Sequence, residues 1–127
     1  MTTIVVAAAV IERGDAFLVT RRQSGVHLEG LWEFPGGKCE PGETLHDCLA
    51  RELLEELGLT AILGDEILTT VHRYPERAVE LHFVRCDARD EPVPQLGQEM
   101  RWVPRNELDT IEFPPADVEL IRLLLST

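Results

Sequence analysis

Residues 3–11 (TIVVAAAVI) are apolar almost without interruption, and a second run follows at 16–21 (AFLVTR). Both suit strands, and Glu12-Arg13-Gly14-Asp15 between them predicts a hairpin. LWEF at 31–34 predicts a short strand cut by Pro35-Gly36-Gly37. From Thr44 to Leu57 the spacing changes to that of a helix. Leu45, Leu49, Ala50, Leu53, Leu54 and Leu57 cover one half of it at about 100° per residue. Thr44-x-x-Asp47 resembles a capping box, and Gly58 supplies the stop. Residues 66–73 (EILTTVHR) and 79–86 (VELHFVRC) predict an antiparallel pair broken at Tyr74-Pro75, followed by a Pro- and acid-rich loop over 87–98. A strand is expected from Met100 to Val103. A last helix after Pro114-Pro115 should turn Val118, Ile121, Leu124 and Leu125 to one side. Strands interrupted by one internal and one terminal helix imply an α+β sandwich, with helices on both faces of a mixed sheet.

The length, 127 residues with 44% hydrophobic content, bounds this to a single domain spanning 1–127. No run approaches the roughly 20 apolar residues of a membrane span. The start lacks a basic n-region and reads as a buried strand rather than a signal peptide. Three cysteines (Cys39, Cys48, Cys86) show no C-x-x-C spacing. They imply free thiols in a reducing compartment, the cytoplasm, with Cys48 a small buried hydrophobe. A net charge of −11 excludes a general nucleic-acid binder. It leaves room for a phosphorylated small molecule if a divalent cation intervenes.

That cation has a candidate seat. Glu52, Glu55 and Glu56 fall in an arc of about 100° bordering the apolar half of the helix. Like charges at i,i+4 oppose one another, and Arg51 alone cannot balance them. Hard cations take oxygen ligands, and Mg²⁺ in particular joins one or two carboxylates to substrate phosphates. The glycine pair before the helix offers a main-chain carbonyl as well. The alternative is a solvated acidic face. GKCEPGET also approaches a phosphate-binding G-x-x-x-x-G-K-[ST] loop, but Glu43 stands where lysine is needed.

Residues 37–59, GKCEPGETLHDCLARELLEELGL, resemble the Nudix box, G-x5-E-x7-R-E-U-x-E-E-x-G-U with U aliphatic. Gly37, Glu43, Arg51-Glu52-Leu53, Glu55-Glu56, Gly58 and Leu59 meet every fixed position. LWEFPGGK and FPPAD extend the likeness to the MutT branch. The resemblance implies a Nudix fold, an α/β/α sandwich. It implies hydrolysis of nucleoside triphosphates to monophosphate and pyrophosphate, as in sanitisation of the nucleotide pool. Mg²⁺, with Mn²⁺ as a substitute, would be held by Glu52, Glu55, Glu56 and the Gly36 carbonyl, with Glu52 or Glu55 as the proton acceptor. Gly37, Glu43, Arg51 and Gly58 would be structural. Arg22 matches a phosphate-contacting arginine; Arg21 points the other way if the strand alternates. His27, Glu33 and Phe34 match positions near the nucleotide, and Lys38 is either a phosphate contact or a solvated lysine. The implied partner is a small nucleotide, with no nucleic acid or membrane, for a monomer or homodimer.

Two departures bear on this likeness. Where the family often has E-G-Q-E-x-R-W, this chain has Leu96-Gly97-Gln98-Glu99-Met100-Arg101-Trp102, so an extra metal-binding glutamate is a leucine. Where F-P-P-A-N ends in a base-reading asparagine, this chain has Asp117. An amide donates and accepts, which suits 8-oxo-dGTP, whereas an ionised aspartate only accepts. The overall resemblance makes 8-oxo-dGTP the default substrate, Asp117 opens CTP, 5-methyl-dCTP or oxidised dATP as alternatives, and helix capping is a further role for Asp117. A nucleotide-sensing Nudix domain without catalysis, and a purely structural acidic module, are the readings from other classes.

Overall fold

The computed structural model describes residues 2–26 and 28–127. Its centre is β1 (Thr2–Arg13), a strand long enough to serve three neighbours. Along Thr2–Ile11 it runs parallel to β6 (Arg77–Asp87), and at Val6–Ala8 it pairs antiparallel with β4 (Gly36–Lys38). At Glu12–Arg13 it turns through Gly14-Asp15 into β2 (Ala16–Arg21). Both turn residues have positive φ, 58° and 71°, as a two-residue hairpin requires. β2 continues to β3 (Trp32–Glu33) and β7 (Met100–Pro104), and β5 (Ile62–Arg73) pairs with β6 beyond β1. One parallel pair among antiparallel ones makes the sheet mixed.

Alternation along β1 and β6 sends side chains to two cores. Ala7, Ala9, Ile11, Val84 and Cys86 face helix α1 (Leu45–Leu57) through Cys48, Leu49, Leu53 and Leu57. Ala8, Val10, Leu81 and Phe83 face the opposite way, toward Leu108 in a 3-10 turn (Arg105–Thr110) and Leu120 and Leu124 of α2 (Val118–Leu125). Helices thus cover both faces, as expected. No helix among the described residues is long and apolar enough to cross a membrane.

Several expectations are corrected. The Pro35-Gly36-Gly37 break carries β4, because main-chain pairing to Val6–Ala8 needs no side chain. The apolar stripe of α1 is narrower than predicted: Leu54 is 57% exposed and Ala50 is exposed, and Cys48 is buried instead. In α2 the buried side runs through Leu120 and Leu124, while Val118 and Leu125 face outward. A 3-10 turn (Pro115–Asp117) rotates the chain before the helix begins. The Thr44 hydroxyl accepts from the Asp47 N–H at 3.1 Å, and Gly58 closes α1 in the left-handed region, φ 62°.

The cysteines also depart from expectation. Cys39, directly after β4, and Cys48, on the second turn of α1, form a disulfide with a Cα separation of 5.2 Å. Only Cys86 is a free thiol, buried in the α1-side core. The spacing of nine residues gave no sign of this, because the bridge depends on β4 lying against α1.

Candidate active site

The geometry is set by close approach of the glycine loop to α1. A Cβ on Gly36 would overlap the Ala7 carbonyl and the Ala8 backbone, and one on Gly37 would overlap the Glu52 carboxyl group. Glycine at both positions lets the strand lie against β1 and under the acidic edge of the helix. The Gly36 N–H donates to Glu56 Oε2 at 3.1 Å, tying loop to helix directly.

Arg51 organises the next layer. Its Nε and Nη2 donate to Glu43 Oε2 and Oε1 at 2.8 and 2.9 Å, a two-pronged pair. Nη1 donates to Glu52 Oε1 at 3.0 Å and Glu55 Oε2 at 3.3 Å, and Nη2 also reaches the Lys38 carbonyl at 3.1 Å. The bonds from Arg51, then the one from the Glu40 N–H, hold the Glu43 carboxyl down to about 2, and the Arg51 pKa rises in turn.

Glu56 is in the opposite condition. Burial, then the charges of Glu33 and Glu52, push its carboxyl up to about 8. Burial also raises Glu52 and Glu33, although Arg51 and Arg22 oppose the shift. Partly buried carboxylates that repel one another form an all-oxygen donor set suited to a hard cation. Among the described residues no three such groups already converge on one point. Arg51 holds Glu52 and Glu55 toward itself. In donor chemistry and crowding the residues fit a divalent cation.

Across Gly36-Gly37-Lys38 from these carboxylates lies a cleft of about 270 Å³. This is near the lower end of small-molecule pockets, roughly 300–1,000 Å³. Parallel register sets Ile4, Val6 and Ala8 abreast of Val79, Leu81 and Phe83, and these make its apolar wall. Phe34 stacks on Phe113 with ring centroids 5.4 Å apart and meets Phe83 edge-on. Arg22, Glu33 and Asp117 supply the polar groups. Arg22 Nη1 donates to Glu33 Oε2 at 2.6 Å. Asp117 is 4% exposed and makes no capping bond to α2, which removes the helix-cap reading. Burial, then the Glu33 charge, push it up to about 7 against the pull of Arg22.

Of the sequence-predicted residues, Arg22, Glu33, Phe34, Gly36, Gly37, Lys38 and Asp117 line this cleft. Glu56 meets the cleft-lining loop at Gly36 and Glu52 lies against Gly37, whereas Glu55 is exposed and bonded to Arg51; His27 lies outside the described residues. Arg21 turns away to the Gly30 carbonyl and Glu99, which makes Glu99 an ion-pair residue at the strand edge. Tyr74 and Arg77 also line the cleft and were missed, because they reach it only once β6 lies parallel to β1.

The NUDIX domain family profile matches residues 6–123. The chain is 38% identical over 126 residues to an 8-oxo-dGTP diphosphatase of Haemophilus influenzae, covering 97% of this chain and 92% of that one. It is 33% identical over 127 residues to a CTP pyrophosphohydrolase of Escherichia coli, covering 99% and 94%. Among solved structures, the Escherichia coli ORF135 protein superposes with a TM-score of 0.88 at 33% identity, covering 99% and 91%. With the box carboxylates Glu52, Glu55 and Glu56 on α1 and a profile match over most of its length, this chain belongs to the NUDIX family.

Proposed function

We propose that this protein hydrolyses modified nucleoside triphosphates to the monophosphate and pyrophosphate, with 8-oxo-dGTP as the principal substrate. The observation that carries this reading is the placement of crowded carboxylates on α1 beside an apolar, aromatic cleft, with only the Gly36-Gly37 loop between. A base fits the cleft against Phe34, and the phosphates then pass over the loop toward Glu52, Glu55 and Glu56. Arg22 and Lys38, which line the cleft, meet phosphate oxygens on the way. Glu52 or Glu55 accepts the proton of the attacking water, while Glu43 and Arg51 hold the helix edge in place. Mg²⁺, or Mn²⁺ in its place, neutralises the phosphate oxygens when bound and acidifies water.

Asp117 decides the base. Raised to about 7, its carboxyl is about half protonated at neutrality, and the protonated form donates as well as accepts, as an amide does. This answers the donor–acceptor pair of an oxidised guanine. The ionised form favours an amino group instead, which is the reading for CTP or 5-methyl-dCTP. The relative named as a CTP pyrophosphohydrolase keeps that second reading in play.

The test is kcat/KM across 8-oxo-dGTP, dGTP, CTP, 5-methyl-dCTP and 2-hydroxy-dATP with Mg²⁺, with products identified. Monophosphate and pyrophosphate from 8-oxo-dGTP at the highest kcat/KM is the expected result. Release of inorganic phosphate, or the absence of turnover on every triphosphate, overturns the reaction; preference for CTP overturns the base.

A further inference from the structure

The disulfide lies where it can act on the site. Cys39 follows Lys38 directly, two residues beyond Gly37, and its N–H donates to the Val5 carbonyl at 2.8 Å. Cys48 is fully buried and sits one turn before Glu52 on α1. The bridge therefore joins the end of the glycine loop to the helix that carries the carboxylates. The stretch it closes contains Glu43, the anchor of Arg51. Cys48 Sγ also lies 3.8 Å from the Gly37 carbonyl. When the bridge opens, the released thiol has a second partner in the same loop.

We propose that Cys39 and Cys48 form a redox-sensitive clasp, which fixes the Gly36-Gly37 loop against the carboxylate helix when bridged and loosens it when reduced. Access is one-sided. Cys39 is half-buried and opens on a shallow groove lined by Val5, Gly42 and Leu45, whereas Cys48 is sealed in the core. Cys86 stays out of the exchange: it is buried on β6, and burial pushes its thiol up to about 12.

The oxidant is a hydroperoxide. The Cys39 thiolate attacks its terminal oxygen, an S–O bond forms, the O–O bond breaks, and the leaving oxygen takes a proton. Cys48 sulfur then attacks Cys39 sulfur, and the S–O bond breaks. Hydroxide leaves with the Cys48 proton as water. Two thiols and one hydroperoxide thus give one disulfide, one alcohol (or water, from hydrogen peroxide) and one water. An external dithiol reverses the change by attacking Cys39. Cys48 leaves and is protonated, and the second thiol of the reductant then frees Cys39 as the reductant closes its own disulfide.

The clasp itself does not depend on the proposed reaction; only its effect on turnover rests on that reading. The test compares protein treated with hydrogen peroxide and protein reduced with dithiothreitol. Thiols are counted in denaturant, and amide exchange is followed at Gly36, whose N–H reports the bond to Glu56. The expected result is one reactive thiol after peroxide and three after reduction. A melting temperature higher by about 10 °C in the bridged form follows from closing a loop of this size. Gly36 exchange should be slower in the bridged form, and half-maximal turnover should need several-fold less Mg²⁺. Cys39→Ser, at the half-buried end, should remove all these differences, and Cys86→Ala should keep them. Three thiols after peroxide, or equal Gly36 exchange in both forms, overturns the clasp. A clasp that responds in protein hydrolysing no nucleotide leaves the inference standing and overturns the reaction.

Discussion

Arg51 grips Glu43 with two nitrogens, at 2.8 and 2.9 Å, and with its third holds Glu52 at 3.0 Å. One planar guanidinium thus joins the entrance of the helix to its acidic edge. Lysine has the charge without the fork. Arg51→Lys is expected to lower kcat/KM by about 10- to 100-fold, the usual cost of removing a group that orients metal-binding carboxylates. Circular dichroism should show the helix retained. A rate within twofold of the parent would mean that the fork does not position Glu52.

Glu56 carries the opposite burden, since its charge is buried beside Glu33 and Glu52. Glu56→Gln keeps shape and removes that repulsion. Turnover should fall by at least about 100-fold, in the range lost when a single group that stabilises transition-state charge is removed. The metal-free protein should meanwhile melt no lower than the parent at neutral pH, and Mg²⁺ should raise the melting temperature of the parent more than that of the variant. Loss of activity accompanied by a drop in melting temperature would assign Glu56 to the fold instead.

Asp117 gives a pH signature. Its folded pKa, about 7, stands above the ordinary value of 3.8, so the folded form binds the proton more tightly than the unfolded chain. Stability from this group is present below the unfolded value and is lost as pH rises through about 7. Asp117→Asn should therefore raise the melting temperature at high pH and leave it little changed at low pH. For 8-oxo-dGTP, kcat/KM of the parent relative to the variant should fall as pH rises through about 7. A parent whose substrate ranking stays the same on both sides of pH 7 would remove Asp117 from base selection.

What the residues disclosed in advance follows from how local each cause is. Helix α1 was legible because Thr44 and Gly58 punctuate it within the segment itself. Its carboxylates were legible because helical spacing alone groups them. Hidden were features made by distant chain meeting distant chain. β4 forms only because β1 lies beside it, and a proline and two glycines read as a break without that partner. Parallel pairing of β1 with β6 brings Tyr74 and Arg77 to the cleft, and no local pattern announces it. The Cys39–Cys48 bridge belongs to the same class. Leu54 failed differently: it has helical apolar spacing, but no layer covers that side of α1.

His82 lies away from the cleft and tests the fold independently of the chemistry. Its Nδ1 is 2.8 Å from Glu66 Oε2 and its Nε2 is 2.7 Å from Glu80 Oε1, so both ring nitrogens meet carboxylates. Burial opposes its charge, but these two bonds outweigh it and raise the pKa above 6.5. Glu66 shifts downward, first through the Thr69 hydroxyl and then through His82. The signs fix a window. The His82 contribution is complete below its unfolded value and is lost as pH rises through the folded one. The Glu66 contribution is present above its unfolded value of 4.5 and is lost as pH falls through the folded one. The cluster therefore stabilises most between the carboxylate and imidazole ranges. His82→Gln should lower the melting temperature by several degrees near pH 6, at roughly 4 °C per kcal/mol for a domain of this size, and by less at about pH 9. Equal losses at both values would show that His82 contributes packing and not charge, since the imidazole fills the same space whether or not it carries a proton.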